Sequence, residues 1–525
     1  MSHAPSAASG ATSAHDRLLF IGCFIALVTT SFGFILRALT LDEWGRQFAL
    51  TQTEKGEIFG AGLWPFAISI VLFSLVVDKV GYGRSMIFAF ACHAASVVMT
   101  VRAQGYWDLY WANIVVALGN GTVEAVINPV VATMYHREKT KWLNILHAGW
   151  PGGLVLGGVI AIAMGNVDWT TKFWLILLPT FAYAFICMRI KFPVQERVAA
   201  GVSYVDMLRE PGALGAFVVL GLVFAELWRV ITERAGDPSL RQLAFHVGEF
   251  AITPPWIAAA VAAVIFGFAV RSLGQPLFFL LLLVMLPLAT TELGTDGWVS
   301  SLMAPEMGKL HLNAGWVLIY TSAIMMVLRL FAGAIVHALS PLALLMVSSA
   351  IAAVGLWWLS ESTGLAILGV ATLYGVGKTF FWPTMLGVVS EQFPKGGALT
   401  LNAISGVGMI AVGIVGNPLF GYWQDSSKAE YLLRDHPAIH AAVVVERSSV
   451  FGTYQAVDAE KEKALSEADK AIVAGVGQHA QKDTLGNVAV LPVIMCLAYL
   501  VLWGWFRARG GYKPVVLESA SPPSS

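Results

Sequence analysis

Long apolar runs, each ended by a short polar connection, recur from Leu18 to Phe506. Crossing a hydrocarbon core about 30 Å thick takes about 20 apolar residues of helix, so these runs predict transmembrane helices. The roughly ten-residue alternation of barrel strands is absent. The predicted spans are 18–39, 57–77, 85–102, 108–134, 143–165 and 171–191, a group of six. Two further candidates follow at 212–229 and 255–272, and hydropathy leaves open whether these cross the bilayer or lie along it. A second group of six occupies 277–303, 314–337, 342–360, 364–389, 399–422 and 487–508. The expected fold class is therefore all-α and integral to a membrane, with two pseudo-symmetric six-helix bundles and as many as fourteen spans. Residues 1–200 form the N-terminal bundle, 201–274 a central linker with two extra hydrophobic helices, and 275–525 the C-terminal bundle. Within the last, 425–486 is rich in Ala, Glu and Lys and is expected to form a small helical cap outside the membrane.

The two groups repeat one another. Glu124-Ala-Val-Ile-Asn-Pro129 falls in the fourth helix of the first, and Lys378-Thr-Phe-Phe-Trp-Pro383 in the fourth helix of the second. An ionisable group at bilayer depth costs roughly 2.5–3.5 kcal/mol on insertion scales and persists where it faces a polar cavity. The fifth helices also correspond, with Leu143-Asn144 and Leu401-Asn402 each preceding small faces of Gly149, Gly152 and Gly153 or Gly406 and Gly408. Parallel repeats of this kind place a solute site near the midplane between them. Lys378 is accordingly expected to face Glu124 across a central cavity. The plainer alternative is an ion pair, Glu124 with Lys378 or Arg37, that fills a polar interior. Pro129 and Pro383 are expected to kink their helices by removing a backbone donor.

Composition narrows the function. Hydrophobic residues make up 57% of the chain and charged ones 13%, with a mean hydropathy of +0.69. Lys+Arg and Asp+Glu balance at 33 each, so nucleic acid is not an expected partner. Cys23, Cys92, Cys187 and Cys496 all lie inside apolar runs, as buried small hydrophobes rather than a disulfide or metal set. No P-loop, zinc spacing, serine elbow or nucleotide fingerprint is present, which argues against an enzyme and against any cofactor or metal. Lys79, Arg84, Arg137, Lys139, Lys141, Arg189, Lys191, Arg197, Lys395, Arg507, Arg509 and Lys513 share one side, which the positive-inside rule makes cytoplasmic, with both termini there. The N-terminal run reads as an uncleaved first helix. A multi-pass protein of the inner cell membrane, monomeric in the lipid bilayer, is the expectation.

Between the second and third spans lies Asp78-Lys-Val-Gly81-Tyr-Gly83-Arg84, where the glycines permit a tight turn and Asp78 and Arg84 can pair with each other or with helix ends. This D-x-x-G-x-G-R loop resembles the signature loop of the major facilitator superfamily, where it gates the inner face. Glu124 with Asn128-Pro129, Leu143-Asn144 with His147, Leu328-Arg329-Leu-Phe331, and Phe381-Trp382-Pro383-Thr384 look like the fucose, galactose and glucose proton symporter family. That likeness covers both six-helix groups but neither 192–274 nor 425–486. It implies sugar uptake driven by protons, with Glu124 in protonation and sugar binding and His147 in substrate contact. One departure is Arg37, in the first helix, where that family carries an aspartate. An arginine there looks like organic-anion and organic-phosphate exchangers, since a guanidinium grips carboxylate or phosphate bidentately.

Further candidates surround this core. Glu292 and Asp296, four residues apart, share one face beside Trp298 and are placed to bind sugar hydroxyls or, equally, to form an outer gate. Asn128 and Asn144 either contact solute or satisfy backbone freed by Pro129 and Pro151, and His147 is a solute contact or a hydrogen-bonded core histidine. Trp382 is deep enough to line a cavity, and Arg329 is a partner for inner-gate groups. The leading expectation is a secondary transporter carrying a small polar solute, a sugar, with protons by alternating access. The first rival is an organic-anion carrier using Arg37 and Lys378, and the second a transport-inactive membrane sensor.

Overall fold

The structure, a computed structural model, describes residues 14–517 apart from 49, 51, 166, 236–239, 241–242, 244, 248–249, 310, 314, 365 and 450–451. The first six membrane passes are α1 (Ala14–Gln47); α2 (Gln52–Gly60) with α3 (Trp64–Val80); α4 (Tyr82–Val101); α5 (Tyr106–Met134); α6 (Lys139–Leu146) with α7 (Gly149–Ala163); and α8 (Trp169–Trp174) with α9 (Leu177–Arg189). Short helices α10 (Glu196–Ala199) and α11 (Tyr204–Arg209) lead to α12 (Gly212–Ala235), the hairpin β1 (Phe245–Val247) and β2 (Phe250–Ile252), and α13 (Pro254–Val270).

The second group opens with α14 (Pro276–Ala289), which runs through a π turn at Thr290–Gly294 into α15 (Thr295–Lys309). Next come α16 (Gly315–Leu330), bent by 65° into α17 (Ala332–Ala338), then α18 (Pro341–Glu361), α19 (Ala366–Lys378) and α20 (Phe381–Gln392). A second π turn, Val412–Gly416, joins α21 (Gly397–Ala411) to α22 (Asn417–Asp435). A polar segment holds α23 (Pro437–Val443), β3 (Val444–Ser449), β4 (Gly452–Val457), α24 (Ala459–Lys463) and α25 (Glu467–Val488), and α26 (Val490–Ala508) closes the fold. Among the described residues, 11 helices are long and apolar enough to cross a bilayer, or 12 if the bent pair is one span.

The prolines act differently from one another. α5 runs unbroken over Pro129, whereas Pro383 sits in the first turn of α20, just past a break at Thr379 and Phe380. A first-turn proline loses no intrahelical hydrogen bond, so the break falls ahead of it.

The two groups meet by a reciprocal rule. The second pass of the first packs on the fifth of the second, α3 on α21, and the fifth of the first packs on the second of the second, α7 on α16. Glycines set the closeness of approach: a Cβ added at Gly158 would lie 2.8 Å from Ile319 Cδ1. Both ends of the described chain lie on one face. His15 Nε2 is 2.9 Å from the Lys191 carbonyl, and the Val515 amide donates to the Glu391 carbonyl at 2.8 Å. We call this the terminal face.

The linker helices α12 and α13 pack against each other, and their ends return to the same place. Gly212 (φ +51°) meets Gly274 (φ +95°) so closely that a Cβ on Gly212 would fall 2.1 Å from the Gly274 nitrogen. α13 carries no charge, and Val261, Val264, Ile265 and Phe268 are exposed on it. A helix lying in the interface would show a charged face there, and α13 has none.

Residues 425–486 depart from the all-helical expectation. Besides helices they carry the antiparallel hairpin β3–β4, pairing Val444 with Val457 and Ser449 with Gly452. Leu432, Ile439, Val443 and Val473 are buried together as a small core. The β-branched run Val443-Val444-Val445 is too short for strand periodicity to outweigh its helix-rich surroundings.

Candidate transport site

Helix breaks bring the polar side chains to the midplane. The π turn presents Glu292, the break before α20 presents the Trp382 amide, and the junction of α6 and α7 presents His147 and Trp150. π turns inside α-helices recur at functional sites because they turn a side chain out of the regular ladder. With Glu124 from α5 and Arg329 from α16, these groups line a cavity between the two halves. Phe66, Ile70, Leu293 and Met409 complete its walls.

A hydrogen-bonded chain crosses the cavity wall. Asn128 Nδ2 donates to Glu124 Oε2 at 2.6 Å, so its Oδ1 is the acceptor facing His147 Nε2 at 2.9 Å. His147 is thereby assigned as the Nε2–H tautomer, which leaves Nδ1 as an acceptor. The His147 carbonyl accepts from Arg329 Nη1 at 2.9 Å. Arg329 also donates from Nη2 to Glu292 Oε1 at 2.7 Å and from Nε to the Thr379 carbonyl at 2.6 Å. Glu292 Oε2 in turn accepts the Trp382 amide at 3.0 Å. Arg329 and Glu292 are 1% and 2% exposed, a desolvated ion pair in which every side-chain nitrogen and carboxylate oxygen has a hydrogen-bond partner. Glu124 differs: among the described residues it contacts no cation and its Oε1 has no hydrogen-bond partner.

The other expected site residues are distributed elsewhere. Lys378 does not face Glu124. It is fully buried and ion-paired with Asp296 of the same half. The helix face was legible in the repeat, but the neighbour it meets is decided by the π turn, which puts Glu292 and Asp296 on different cavities. Arg37 does not reach the chamber either. It is held inside the first bundle by Ser96 Oγ at 2.8 Å and the Gly33 carbonyl at 3.0 Å, with its guanidinium carbon 5.7 Å from the Phe173 ring centre. Asn144 lies at the seal on the terminal face, donating to Thr384 Oγ1 at 3.1 Å. Trp298 belongs to α15, but its side chain lies outside the described residues. Trp382 lines the chamber.

In the Asp78 loop, Gly81 takes φ +92° at the turn between α3 and α4, a conformation that favours glycine. Asp78 is ion-paired with Arg197, from the connection after the sixth pass, and Arg84 is exposed. Gly83 packs near Phe192.

Sequence reasoning missed the seal on the terminal face. Thr140 donates to Glu391 Oε1 from Oγ1 at 2.6 Å and from its amide at 3.2 Å, and Tyr512 donates to Glu391 Oε2 at 2.9 Å. Lys139 reaches the Ser390 carbonyl at 3.2 Å and Glu196 at 2.6 Å. The Thr140–Glu391 and Lys139–Ser390 bonds link the two halves, so the chamber is closed towards the terminal face. The available signal was Gly387, whose added Cβ would lie 2.2 Å from Thr140 Oγ1: a lone glycine in α20 marks close contact with a partner helix.

Comparison with known proteins places this architecture. Residues 18–417 match the profile of the Major Facilitator Superfamily. The 3-(3-hydroxy-phenyl)propionate transporter of Escherichia coli (strain K12) is 27% identical over 180 residues, 32% of this chain and 44% of that protein. The probable sugar efflux transporter of Helicobacter pylori (strain G27) is 21% identical over 210 residues, 39% and 54% respectively. The chain thus spans about half the length of the curated relatives it matches. Among solved structures, the proton:xylose symporter XylE bound to 6-bromo-6-deoxy-D-glucose superposes with a TM-score of 0.58 at 14% identity, covering 94% of this chain and 96% of that one. The human organic anion transporter MFSD10 gives 0.54 at 11% identity, covering 92% and 99%. Two helical groups closing on a common chamber, and a profile match across most of the chain, make this protein a member of the major facilitator superfamily of membrane transporters.

Proposed function

We propose that this transporter carries a small neutral hydroxylated solute, a sugar, together with a proton. The observation that carries the reading is the charge state of the chamber. Arg329 is matched by Glu292 and Lys378 by Asp296, which leaves Glu124 as the chamber's unmatched charge among the described residues. Protonation makes the chamber neutral. An ionised carboxylate enclosed at bilayer depth is costly, so closing the halves over solute favours the protonated form, and proton and solute travel together. A sugar hydroxyl has Glu124 Oε1 and His147 Nδ1 as partners, and Trp150 and Trp382 offer aromatic faces to the ring carbons.

An organic anion would need an unmatched cation in the chamber, and the three candidates are Arg37 on Ser96, Arg329 on Glu292 and Lys378 on Asp296. The basic residues of the terminal face make it the cytoplasmic one in this proposal.

The test is uptake of labelled neutral sugars and sugar acids into proteoliposomes with and without a pH gradient. Wild type is expected to accumulate a neutral sugar only with the gradient. Glu124→Gln is expected to keep sugar exchange at equal concentrations while losing gradient-driven accumulation. Accumulation of a sugar acid that is lost in Arg37→Ala would support the anion carrier instead, and surface-expressed protein with no flux of any solute would support the sensor.

A further inference from the structure

A second cavity adjoins the chamber on the side away from the terminal face. The two share Trp150, Leu293 and Met409 as a common wall. The lining residues all step outward along their helices: Leu154 one turn beyond Trp150 on α7, Asp296 beyond Glu292, Val412 beyond Met409, and Leu318 well before Arg329 on α16, which runs the other way. This vestibule is of opposite character to the chamber. Phe34 and Phe59 meet with ring centres 5.3 Å apart, and Phe34 lies 5.8 Å from Trp150, so aromatic rings form one wall. Leu63, Leu154, Leu318 and Val412 form others. Among the described residues its one charged lining residue is Asp296, which is neutralised by Lys378.

A polar solute gains nothing from such a space, since its hydroxyls would lose water without finding donors or acceptors. An apolar group attached to that solute gains the full benefit of burial. We propose that the vestibule is an aglycone subsite, and that the preferred cargo is a glycoside: the sugar ring sits among Glu124, His147 and Trp382, and an aryl or alkyl substituent points outward past Trp150 into the vestibule. The proposal rests on the neutral-sugar reading of the chamber and names the class of sugar derivative it takes.

The experiment measures binding of matched methyl and phenyl β-glycosides of glucose, galactose, xylose and fucose to the full chain in lipid nanodiscs, where no alkyl glycoside detergent competes. For the sugar that binds, the phenyl member is expected to bind about ten-fold tighter than its methyl mate or better. Phe34→Ala is expected to erase that difference while leaving the affinity for the methyl glycoside unchanged; Phe59→Leu serves the same purpose should the first variant fail to fold. Equal affinities within a pair that binds would overturn the aglycone subsite and leave the sugar reading standing. A ten-fold preference that survives both substitutions would also overturn it, because the apolar group would then sit elsewhere. If no member of any pair binds, the sugar reading falls and the subsite falls with it.

Discussion

Asn144 and Asn402 stand at matching places in the two halves, and each reaches across to the fourth pass of the other. Asn144 Nδ2 donates to Thr384 Oγ1 at 3.1 Å, and Asn402 Nδ2 donates to the Ala125 carbonyl at 3.1 Å. Both side-chain oxygens are buried without a partner. The internal repeat is thus expressed as a reciprocal pair of straps between the two bundles.

Removing one strap is expected to favour opening at the terminal face. A hydrogen bond contributes about 1 kcal/mol net, so Asn144→Ala should raise the population open at the terminal face by roughly five-fold. Maleimide labelling of Ser390→Cys, buried in the closed form, reads this directly in a background lacking Cys496. Asn402→Ala should act in the same direction. Unchanged labelling in both would show that the straps do not hold the seal.

The Arg329–Glu292 pair predicts a rescue. Arg329→Met leaves Glu292 buried without its cation and is expected to destabilise the protein by about 3 kcal/mol or more. Adding Glu292→Leu removes the stranded charge and should restore most of the melting temperature, though not transport. A double variant no more stable than the single would contradict the pairing.

The signature loop offers a contrast between two arginines. Asp78 is buried against Arg197, while Arg84 is exposed. Arg197→Met is expected to cost about 3 kcal/mol and Arg84→Met less than about 0.5 kcal/mol. A double-mutant cycle in thermal stability should give strong coupling of Asp78 with Arg197 and negligible coupling with Arg84.

Outside the membrane, Asp458 caps α24. The amides of Lys461 and Glu460, each 3.1 Å from its Oδ1, hold the carboxyl below its usual value, with Arg447 adding in the same sense. A depressed folded-state value means the stabilisation is fully present above the unfolded value of about 3.9 and is lost as pH falls through the folded one. Hydrogen exchange at Glu460 and Lys461 is expected to lose protection, after correction for intrinsic rates, only below about pH 4. Asp458→Ala should abolish that dependence.

Span positions and the pairing of the two halves were legible because bilayer thickness fixes the length of an apolar run, and because Glu124 and Lys378, Asn144 and Asn402, keep their places in corresponding helices. The partners of the charges were not. Lys378 was expected opposite Glu124, but it meets Asp296, because a π turn is invisible to a 3.6-residue period and changes which cavity each acid faces. Arg37 shows the same limit: one helix carries faces towards both the chamber and its own bundle, and only packing decides that Ser96 rather than solute receives the guanidinium. The terminal-face seal depends on Glu391 meeting Thr140 from 251 residues away, a relation no local pattern encodes.

α22 continues from α21 without leaving the helix, and α25 likewise runs on into α26, so that Pro394–Asp435 and Glu467–Ala508 are each 42 residues long. The segment between them is therefore no tethered bead but the far arm of two continuous helical rods, one of which passes the chamber at Met409. Any tilt of those rods during the cycle is magnified at their tips, and a nanobody that clamps the β3–β4 hairpin would act as a brake on solute turnover without touching the membrane.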